Sequence, residues 1–96
     1  MPNFTWDPHN NSTNRDRHGL DFEDAPQVFD DPNRIEWYSD RRGERRFLTV
    51  GKVFGLLLTL IYYFRRTAIR IISFRQANTA EREAYRKFNK NNSDHE

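Results

Sequence analysis

The sequence predicts an α+β domain in which a small antiparallel sheet is combined with two N-terminal helices and one C-terminal helix. From Ile35 to Gln76 the apolar residues come in short runs with the period of a strand, separated by polar turns. On both sides of this region, helix-capping residues replace the alternating pattern. Strands that follow each other through short turns form an antiparallel meander. In chain order, the predicted elements are a strand at Phe4–Trp6, helices at 8–18 and Phe22–Phe29, strands at Ile35–Tyr38, Arg46–Val53, Leu56–Arg65 and Ile69–Gln76, and a helix at Thr79–Phe88.

Capping residues set the predicted ends of the two N-terminal helices. Asp7 supplies an N-cap and Pro8 the first helical position, where the N–H that proline lacks is not needed. Gly19 ends this helix, because glycine readily adopts the left-handed conformation that follows a helix. Asp21 caps the second helix, but Pro26 lies inside it and removes a helical hydrogen bond. The second helix is therefore expected to be short or irregular.

The strands are predicted from their pattern and from the turns between them. Leu56–Arg65 is almost continuously apolar, as expected for a strand that is covered on both faces. The apolar run that contains it is twelve residues long, from Val53 to Phe64, whereas a membrane-spanning helix needs about 20. Ser39–Gly43 and the pair Arg66-Thr67 are the predicted turns. The run is therefore interpreted as a central strand.

The C-terminal helix begins with a capping-box pattern, formed by Asn78 and Glu81. The polar residues 89–96 are expected to form a frayed tail. At 96 residues the chain is predicted to be one domain, 1–96, with a small core. The polar N-terminus shows no signal peptide, so a cytoplasmic protein is expected.

The net charge of +2 conceals an uneven distribution. Residues 1–40 contain three arginines and nine acidic residues, whereas residues 41–96 contain thirteen basic and five acidic residues. Arginine outnumbers lysine thirteen to three, and its planar guanidinium suits bidentate contacts to phosphate. The basic half indicates nucleic acid or an acidic protein as partner, and a solvated surface of mixed charge is the alternative.

Several classes of protein are excluded by what the sequence lacks. Without cysteine there is no disulfide scaffold, no thiol nucleophile and no cysteine-ligated zinc. The three histidines lack metal-ligand spacing, so neither a metal nor a cofactor is expected. No P-loop, nucleophile elbow or dinucleotide fingerprint is present. Asp30 and Asp31 flank a turn proline and are interpreted as turn and cap residues.

The arginines of the strand region are the best candidates for functional residues. Arg45, Arg46, Arg65, Arg70 and Arg75 lie on or at the ends of three consecutive predicted strands. Guanidinium groups could stabilise the charge that develops on phosphorus during phosphodiester cleavage. Alternation would point Arg70 and Arg75 to opposite faces, unless a bulge intervenes. Exposed arginines whose stems cover the sheet are the structural alternative.

A histidine and three tyrosines are further candidates. His18 could act as an acid or base near neutral pH, or it could simply contact the end of the first helix. Tyr62, Tyr63 and Tyr85 could stack on bases, although tyrosines in a sheet are more often core residues with a bonded hydroxyl. Each candidate therefore has a functional and a purely structural interpretation.

Short motifs occur in a fixed order over about residues 4–88. They are Phe4-Thr5-Trp6-Asp7-Pro8, then Arg17-His18-Gly19-Leu20-Asp21-Phe22-Glu23-Asp24-Ala25, Val28-Phe29-Asp30-Asp31-Pro32, Glu44-Arg45-Arg46-Phe47-Leu48-Thr49-Val50-Gly51, Arg70-Ile71-Ile72-Ser73-x-Arg75, and Glu81-Arg82-x-x-Tyr85. In order and spacing they resemble the BrnT family of bacterial toxins. The chain departs from that family's pattern at Arg17, where lysine is common, and at Phe74, where a small residue is usual.

The resemblance implies a RelE-like fold and metal-independent cleavage of RNA. It also implies inhibition by a cognate BrnA-type antitoxin with a ribbon-helix-helix part, in a complex of two toxins with an antitoxin dimer that contacts DNA only through the antitoxin. On this reading the catalytic residues are His18, Glu44, Arg46, Arg65 and Arg75. The RNA-binding residues are Arg45, Tyr62, Arg70 and Tyr85. The general base stays open between His18 and Glu44, and the alternative function is a non-catalytic basic module that binds an acidic partner or nucleic acid.

Overall fold

The computed structural model describes residues 3–93, with side chains for residues 3–90. Five strands form one sheet, and two α-helices and one 3-10 helix pack around it. In chain order these are β1 (Asn3–Thr5), α1 (Pro8–His18), the 3-10 helix (Phe22–Asp30), β2 (Ile35–Arg41), β3 (Glu44–Val53), β4 (Leu56–Arg65), β5 (Ala68–Gln76) and α2 (Thr79–Ser93). The predicted α+β class is confirmed.

The strands β2 to β5 form the predicted antiparallel meander, and β4 has the predicted bounds. The predicted charged turn at Ser39–Gly43 is wrong, because β2 continues to Arg41 and only two residues connect it to β3. Those residues, Arg42 and Gly43, have φ values of 51° and 78°. Positive φ at both positions matches the twist of a two-residue hairpin, so the polar residues before the turn stay paired.

The expectation of a purely antiparallel sheet is also wrong, because β1 pairs parallel with β5. The resulting strand order is β1-β5-β4-β3-β2, and the sheet is mixed. Phe4 lies beside Ile69 in this pairing. Residues so far apart in the chain are brought together by the fold as a whole, and the turn residues near each strand do not predict such a pairing.

The caps that the sequence predicts are present. The side chain of Asp7 accepts the N–H of His9 at 2.8 Å, and Gly19 adopts a φ of 69° after the last turn of α1. Asp21 caps the second helix, which contains Pro26 and is a 3-10 helix rather than an α-helix. The last helix extends to Ser93, beyond the predicted end at 88. The remainder of the predicted tail, 94–96, lies outside the described residues.

The hydrophobic core lies between the 3-10 helix and one face of the sheet, which we call the core face. The largest fully buried side chains there include Phe22 and Phe74. Gly51 on β3 allows the close approach of the 3-10 helix, since a Cβ atom at this position would lie 2.8 Å from the carbonyl oxygen of Val28. Among the helices of residues 3–93, none is long and apolar enough to cross a membrane.

The opposite face of the sheet, which we call the open face, is covered only at one end. There α2 crosses the sheet and packs Tyr85 with Val50 of β3. Glu81 at the start of α2 reaches Thr59 of β4. Beyond this crossing, towards the β2–β3 and β4–β5 turns, residues such as Leu48 and Ile61 stay half-buried.

A bulge in β5 changes which residues share a face. Ile71 pairs with Tyr62 and Ser73 pairs with Ile61, so that Ile72 is an extra residue on β5. As a result Ile71 and Phe74, three residues apart, both belong to the core. The alternation of side chains between the two faces of the sheet is therefore shifted by one residue between Ile71 and Phe74. Arg70 and Arg75 lie on the same face, the open one, which is the arrangement that simple alternation excludes.

Two polar side chains close strand edges that have no neighbouring strand. Asn14 of α1 accepts the N–H of Phe74 at 3.1 Å and donates to its carbonyl oxygen at 2.8 Å. Asp31, after the 3-10 helix, accepts the N–H of Lys52 at 2.7 Å and the hydroxyl of Tyr85 at 2.7 Å. The amide of Asn14 therefore fixes α1 on β5, and the carboxylate of Asp31 joins the 3-10 helix, β3 and α2.

We expect Asn14→Ala to lower the free energy of unfolding by roughly 2 kcal/mol, because it leaves a buried N–H and a buried carbonyl of β5 unpaired. Asn10→Ala, at an exposed position of the same helix, is the control and should have little effect. Urea denaturation of both variants measures the difference. Equal stabilities for the two variants would contradict the role given to Asn14.

Candidate functional site

Three arginines and one tyrosine cluster on the uncovered part of the open face. Arg70 on β5 is the cross-strand partner of Tyr63 on β4. Arg46 on β3 flanks Tyr63 on the other side in the β3–β4 register, and Arg65 follows two residues further along β4. Arg46, Tyr63 and Arg70 are half-buried and Arg65 is exposed. A half-buried aromatic ring is thus bordered by cations on both neighbouring strands, an arrangement that suits a single nucleic acid strand.

The neighbouring residue Arg45 lies on the core face of the sheet. Its Nε donates to Oδ1 of Asp40 at 3.0 Å, and its guanidinium lies 4.0 Å from the centre of the Tyr38 ring. The open face therefore carries Arg46 without Arg45, because adjacent residues of a strand point to opposite sides. The predicted RNA-binding group is divided between two surfaces.

Glu44 lies at the end of β3 beside Arg46, with its Oε1 3.3 Å from Nε of Arg46. These two residues line a cavity of about 640 Å³ with Arg41 and Arg42. Of the two residues considered as general base, Glu44 is thus placed at the β2–β3 turn, in a strongly basic setting.

Arg75 lies near the other end of the open face, next to the start of α2. Its guanidinium forms a two-pronged ion pair with Glu81, with Nη1 to Oε1 at 2.7 Å and Nη2 to Oε2 at 3.0 Å. Nη1 also donates to the carbonyl oxygen of Gln76 at 3.2 Å. The side chain of Arg75 is 24% exposed and that of Glu81 is 7% exposed. This pair is the most buried ion pair among the described residues.

Glu81 is ionised by its hydrogen bonds in spite of its burial. Burial alone would raise the pKa of its carboxyl group, but hydrogen bonds from Arg75, the N–H of Asn78 and the hydroxyl of Thr59 lower the pKa below its ordinary value. The hydrogen bond to Glu81 in turn raises the pKa of Arg75. The predicted capping box is confirmed, since the N–H of Glu81 donates to Oδ1 of Asn78 at 2.8 Å.

His18 is placed close to Arg75. The C-terminal end of α1 meets the start of α2 at a depression of about 500 Å³. Its lining residues are Arg17, His18, Arg75, Gln76 and Asn78. Two arginines and a histidine meet here, and His18 is the only lining residue of a type that enzymes use as a general base. Of the two base candidates, the structure therefore brings His18, and not Glu44, beside Arg75.

The structure buries Tyr62 and Tyr85, which the sequence analysis grouped with the RNA-binding residues. The hydroxyl of Tyr62 lies 3.0 Å from Oγ1 of Thr49 on the core face, and burial raises its pKa. The hydroxyl of Tyr85 donates to Asp31, and burial together with this bond raises the pKa of Tyr85 to about 12. Both rings pack within the protein, and Tyr63 is the tyrosine that faces the open side.

Sequence reasoning left out Arg17 and did not single out Tyr63 among the tyrosines. Arg17 was considered only as a basic residue at the end of the first helix and as a substitution in a motif, yet it lines the same depression as His18. Tyr63 shares the parity of Arg65 along β4, which is a signal that the alternation of the strand contains. Among residues 3–93, no group of three His, Asp or Glu side chains is arranged to hold a metal ion.

The comparison with known families decides what kind of protein carries this site. A family model described as the ribonuclease toxin BrnT of a type II toxin–antitoxin system matches residues 6–81. The chain belongs to the BrnT family. No curated protein sequence matches the chain. The match includes Arg46, Arg65, Arg70 and Arg75 and ends at Glu81, so the BrnT region contains the whole open-face cluster and the Arg75–Glu81 pair.

The stability of this BrnT-family domain should fall in acid. Burial alone would raise the pKa of Asp31, but hydrogen bonds from Tyr85, Lys52 and Asn33 lower the pKa below the ordinary value of 3.8. A carboxyl group whose pKa is lower in the folded state than in the unfolded state stabilises the fold at pH values above its unfolded-state pKa. This stabilisation is lost as the pH falls through its folded-state pKa. We expect the free energy of unfolding to decrease below about pH 4, with Glu81 contributing in the same direction.

Tyr85→Phe tests the contribution of Asp31. The variant lacks the hydroxyl that donates to the Asp31 carboxylate, so the pKa of Asp31 should rise towards its ordinary value and the acid dependence should become less steep. Denaturation by urea at several pH values between about 7 and 3 measures this dependence. An acid dependence of Tyr85→Phe as steep as that of the parent would contradict the assignment.

Proposed function

We propose that this chain is the toxin of a type II toxin–antitoxin pair and cleaves RNA as a metal-independent endoribonuclease. The observation that carries the proposal is the position of Arg75 and His18 on one depression at the edge of an arginine-bearing sheet face. The BrnT family is one of ribonuclease toxins, which supports RNA as the substrate. We further propose that the domain is RelE-like and acts in the cytoplasm.

The proposed reaction uses the 2′-hydroxyl of the substrate as the nucleophile. His18 removes the proton of this hydroxyl, and its oxygen attacks the adjacent phosphorus. The bond from phosphorus to the 5′-oxygen of the next nucleotide breaks, and that oxygen takes a proton from solvent water as it leaves. The products are a 2′,3′-cyclic phosphate and a 5′-hydroxyl. Arg75 and Arg17 stabilise the charge on the phosphoryl oxygens in the transition state.

The remaining arginines would hold the RNA on either side of the scissile phosphate. Arg70 and Arg75 lie five residues apart on β5, which corresponds to about 15 Å at roughly 3 Å per residue. They therefore contact different phosphates. Arg46, Arg65 and Arg70 bind the chain away from the cleavage point, while Tyr63 stacks on a base between them. Glu44 pairs with Arg46 and would orient that side chain.

The proposed partner is a BrnA-like ribbon-helix-helix antitoxin, in a complex of two toxins with an antitoxin dimer. A type II system implies an antitoxin protein. The exposed side chain of Trp37 on β2, which pairs with Leu48 of the open face, offers an apolar contact on the same face as the arginines. An acidic segment of the antitoxin that covers the open face would block RNA binding, and DNA would be bound through the antitoxin alone.

A non-catalytic binding module is the second candidate function. The observation in its favour is that no carboxylate accompanies His18 at the depression, so that no side chain there is an evident proton donor to the leaving oxygen. Such a module would use the same arginines to hold an acidic partner or nucleic acid. The two functions differ in whether the isolated protein cleaves RNA.

The decisive experiment compares the parent with two histidine variants. His18→Ala should reduce single-turnover cleavage of RNA by about a hundredfold, because it removes the general base. His9→Ala changes an exposed histidine near the start of the same helix and should leave the rate unchanged. The reactions are run in excess chelator. Growth arrest by each protein is recorded with and without the product of the adjacent gene, which is the candidate for the proposed antitoxin.

Each outcome has a defined meaning. A folded parent protein that neither arrests growth nor cleaves RNA, with or without ribosomes, would reject the ribonuclease in favour of the binding module. Cleavage by His18→Ala at the rate of the parent would reject His18 and leave Glu44 as the candidate base. Growth arrest that the neighbouring product does not relieve would count against an antitoxin encoded there.

A further inference from the structure

We propose that Glu81 is a positioning residue for the reaction, which fixes the guanidinium of Arg75 so that one edge of it faces the substrate phosphate. This inference rests on the ribonuclease function proposed above. Glu81 is not among the lining residues of the depression. It would act through Arg75, and its role would be separate from the stability that its hydrogen bonds provide.

The carboxylate of Glu81 is itself held by two groups other than Arg75. Its Oε1 accepts the hydroxyl of Thr59 at 2.8 Å and the N–H of Asn78 at 2.9 Å. Thr59 is buried on β4 and is the cross-strand partner of Arg75. The carboxylate is therefore fixed to the sheet and to the start of α2 before it contacts the guanidinium, and Arg75 is held against a rigid group.

The ion pair occupies one edge of the guanidinium and leaves another edge free. The inner N–H groups of Nη1 and Nη2 face Glu81, and the second N–H of Nη1 faces Gln76. The N–H of Nε and the second N–H of Nη2 have no protein acceptor among the described residues. Since no buried side-chain nitrogen or oxygen among the described residues lacks a hydrogen-bond partner, the unpaired Nε of Arg75 is open to solvent. These two N–H groups lie side by side and match two oxygens of a phosphate.

Glu81 also has an electrostatic effect that opposes RNA binding. Its negative charge reduces the attraction between the positive site and the RNA backbone. A carboxylate at this position therefore weakens ground-state binding while it improves the alignment of Arg75 in the transition state. Removal of the charge should change kcat and KM in the same direction, a signature that a loss of folded protein does not produce.

The test is a double-mutant cycle in Glu81→Gln and Arg75→Lys. Glutamine is also found at this position of capping boxes, so Glu81→Gln should fold, but it cannot accept both prongs of Arg75. We expect kcat to fall about tenfold because the guanidinium is misaligned, and KM to fall as well. Arg75→Lys keeps the charge but has no fork. Glu81→Gln should therefore cause no further loss of kcat in the Arg75→Lys background.

Glu83→Gln is the matched control, since it removes the same charge from an exposed position on the same helix. It should leave kcat unchanged. A folded Glu81→Gln protein with the kcat of the parent, or losses of kcat that multiply in the double variant, would overturn the positioning role. A loss of stability without a change in kcat of the folded protein would assign Glu81 to the fold alone.

A second measurement separates this inference from the ribonuclease function itself. The NMR signal of the Arg75 Nε–H group, recorded without RNA, should be sharp in the parent and in Glu83→Gln and broadened by exchange in Glu81→Gln. An Arg75 signal that is equally sharp in Glu81→Gln overturns the inference whether or not RNA is cleaved. If Arg75 is ordered in a parent protein that does not cleave RNA, the ribonuclease function is rejected, whereas the positioning of Arg75 by Glu81 is not.

Discussion

The carboxylate of Glu81 is the contact on which the arrangement of the open face depends. It binds Thr59 of β4, Arg75 of β5 and the backbone at the start of α2. These bonds hold the first turn of α2 at one end of the sheet. The hydrogen bond from the hydroxyl of Tyr85 to Asp31 holds the second turn of α2. Because α2 crosses the sheet at this end, the surface around Tyr63 stays uncovered and Arg75 is aligned next to His18.

The bulge at Ile72 is the second constraint on the site. Without the extra residue, Arg70 and Arg75 would point to opposite faces of β5. With it, Phe74 still enters the core while both arginines reach the open face. The bulge thus keeps the core packed while it places both arginines on the open face, and bulges commonly redirect side chains in this way. An arginine-bearing face is then continuous from the β4–β5 turn to α2.

The parts of the structure that the sequence predicts are those that depend on neighbouring residues. The cap at Asp7, the capping box of Asn78 and Glu81, and the bounds of β4 follow from local pattern. The parallel pairing of β1 does not, because its partner strand lies more than sixty residues away. The hydroxyl of Tyr85 finds its acceptor 54 residues away in the chain. The burial of Tyr85 and the face on which Arg75 lies beyond the bulge therefore depend on the tertiary structure.

If RNA lies across the open face, as we propose, the adjacent residues Arg45 and Arg46 should differ in their contribution to RNA binding. Arg45 and Arg46 each pair with a partly or fully exposed acid, but they point to opposite faces of β3. The measurement is the affinity for an RNA that cannot be cleaved, over a range of salt concentrations. Arg46→Ala should bind about tenfold more weakly with a smaller salt slope, and Arg45→Ala should bind like the parent. Equal losses from both variants, or a greater loss from Arg45→Ala, would contradict the account.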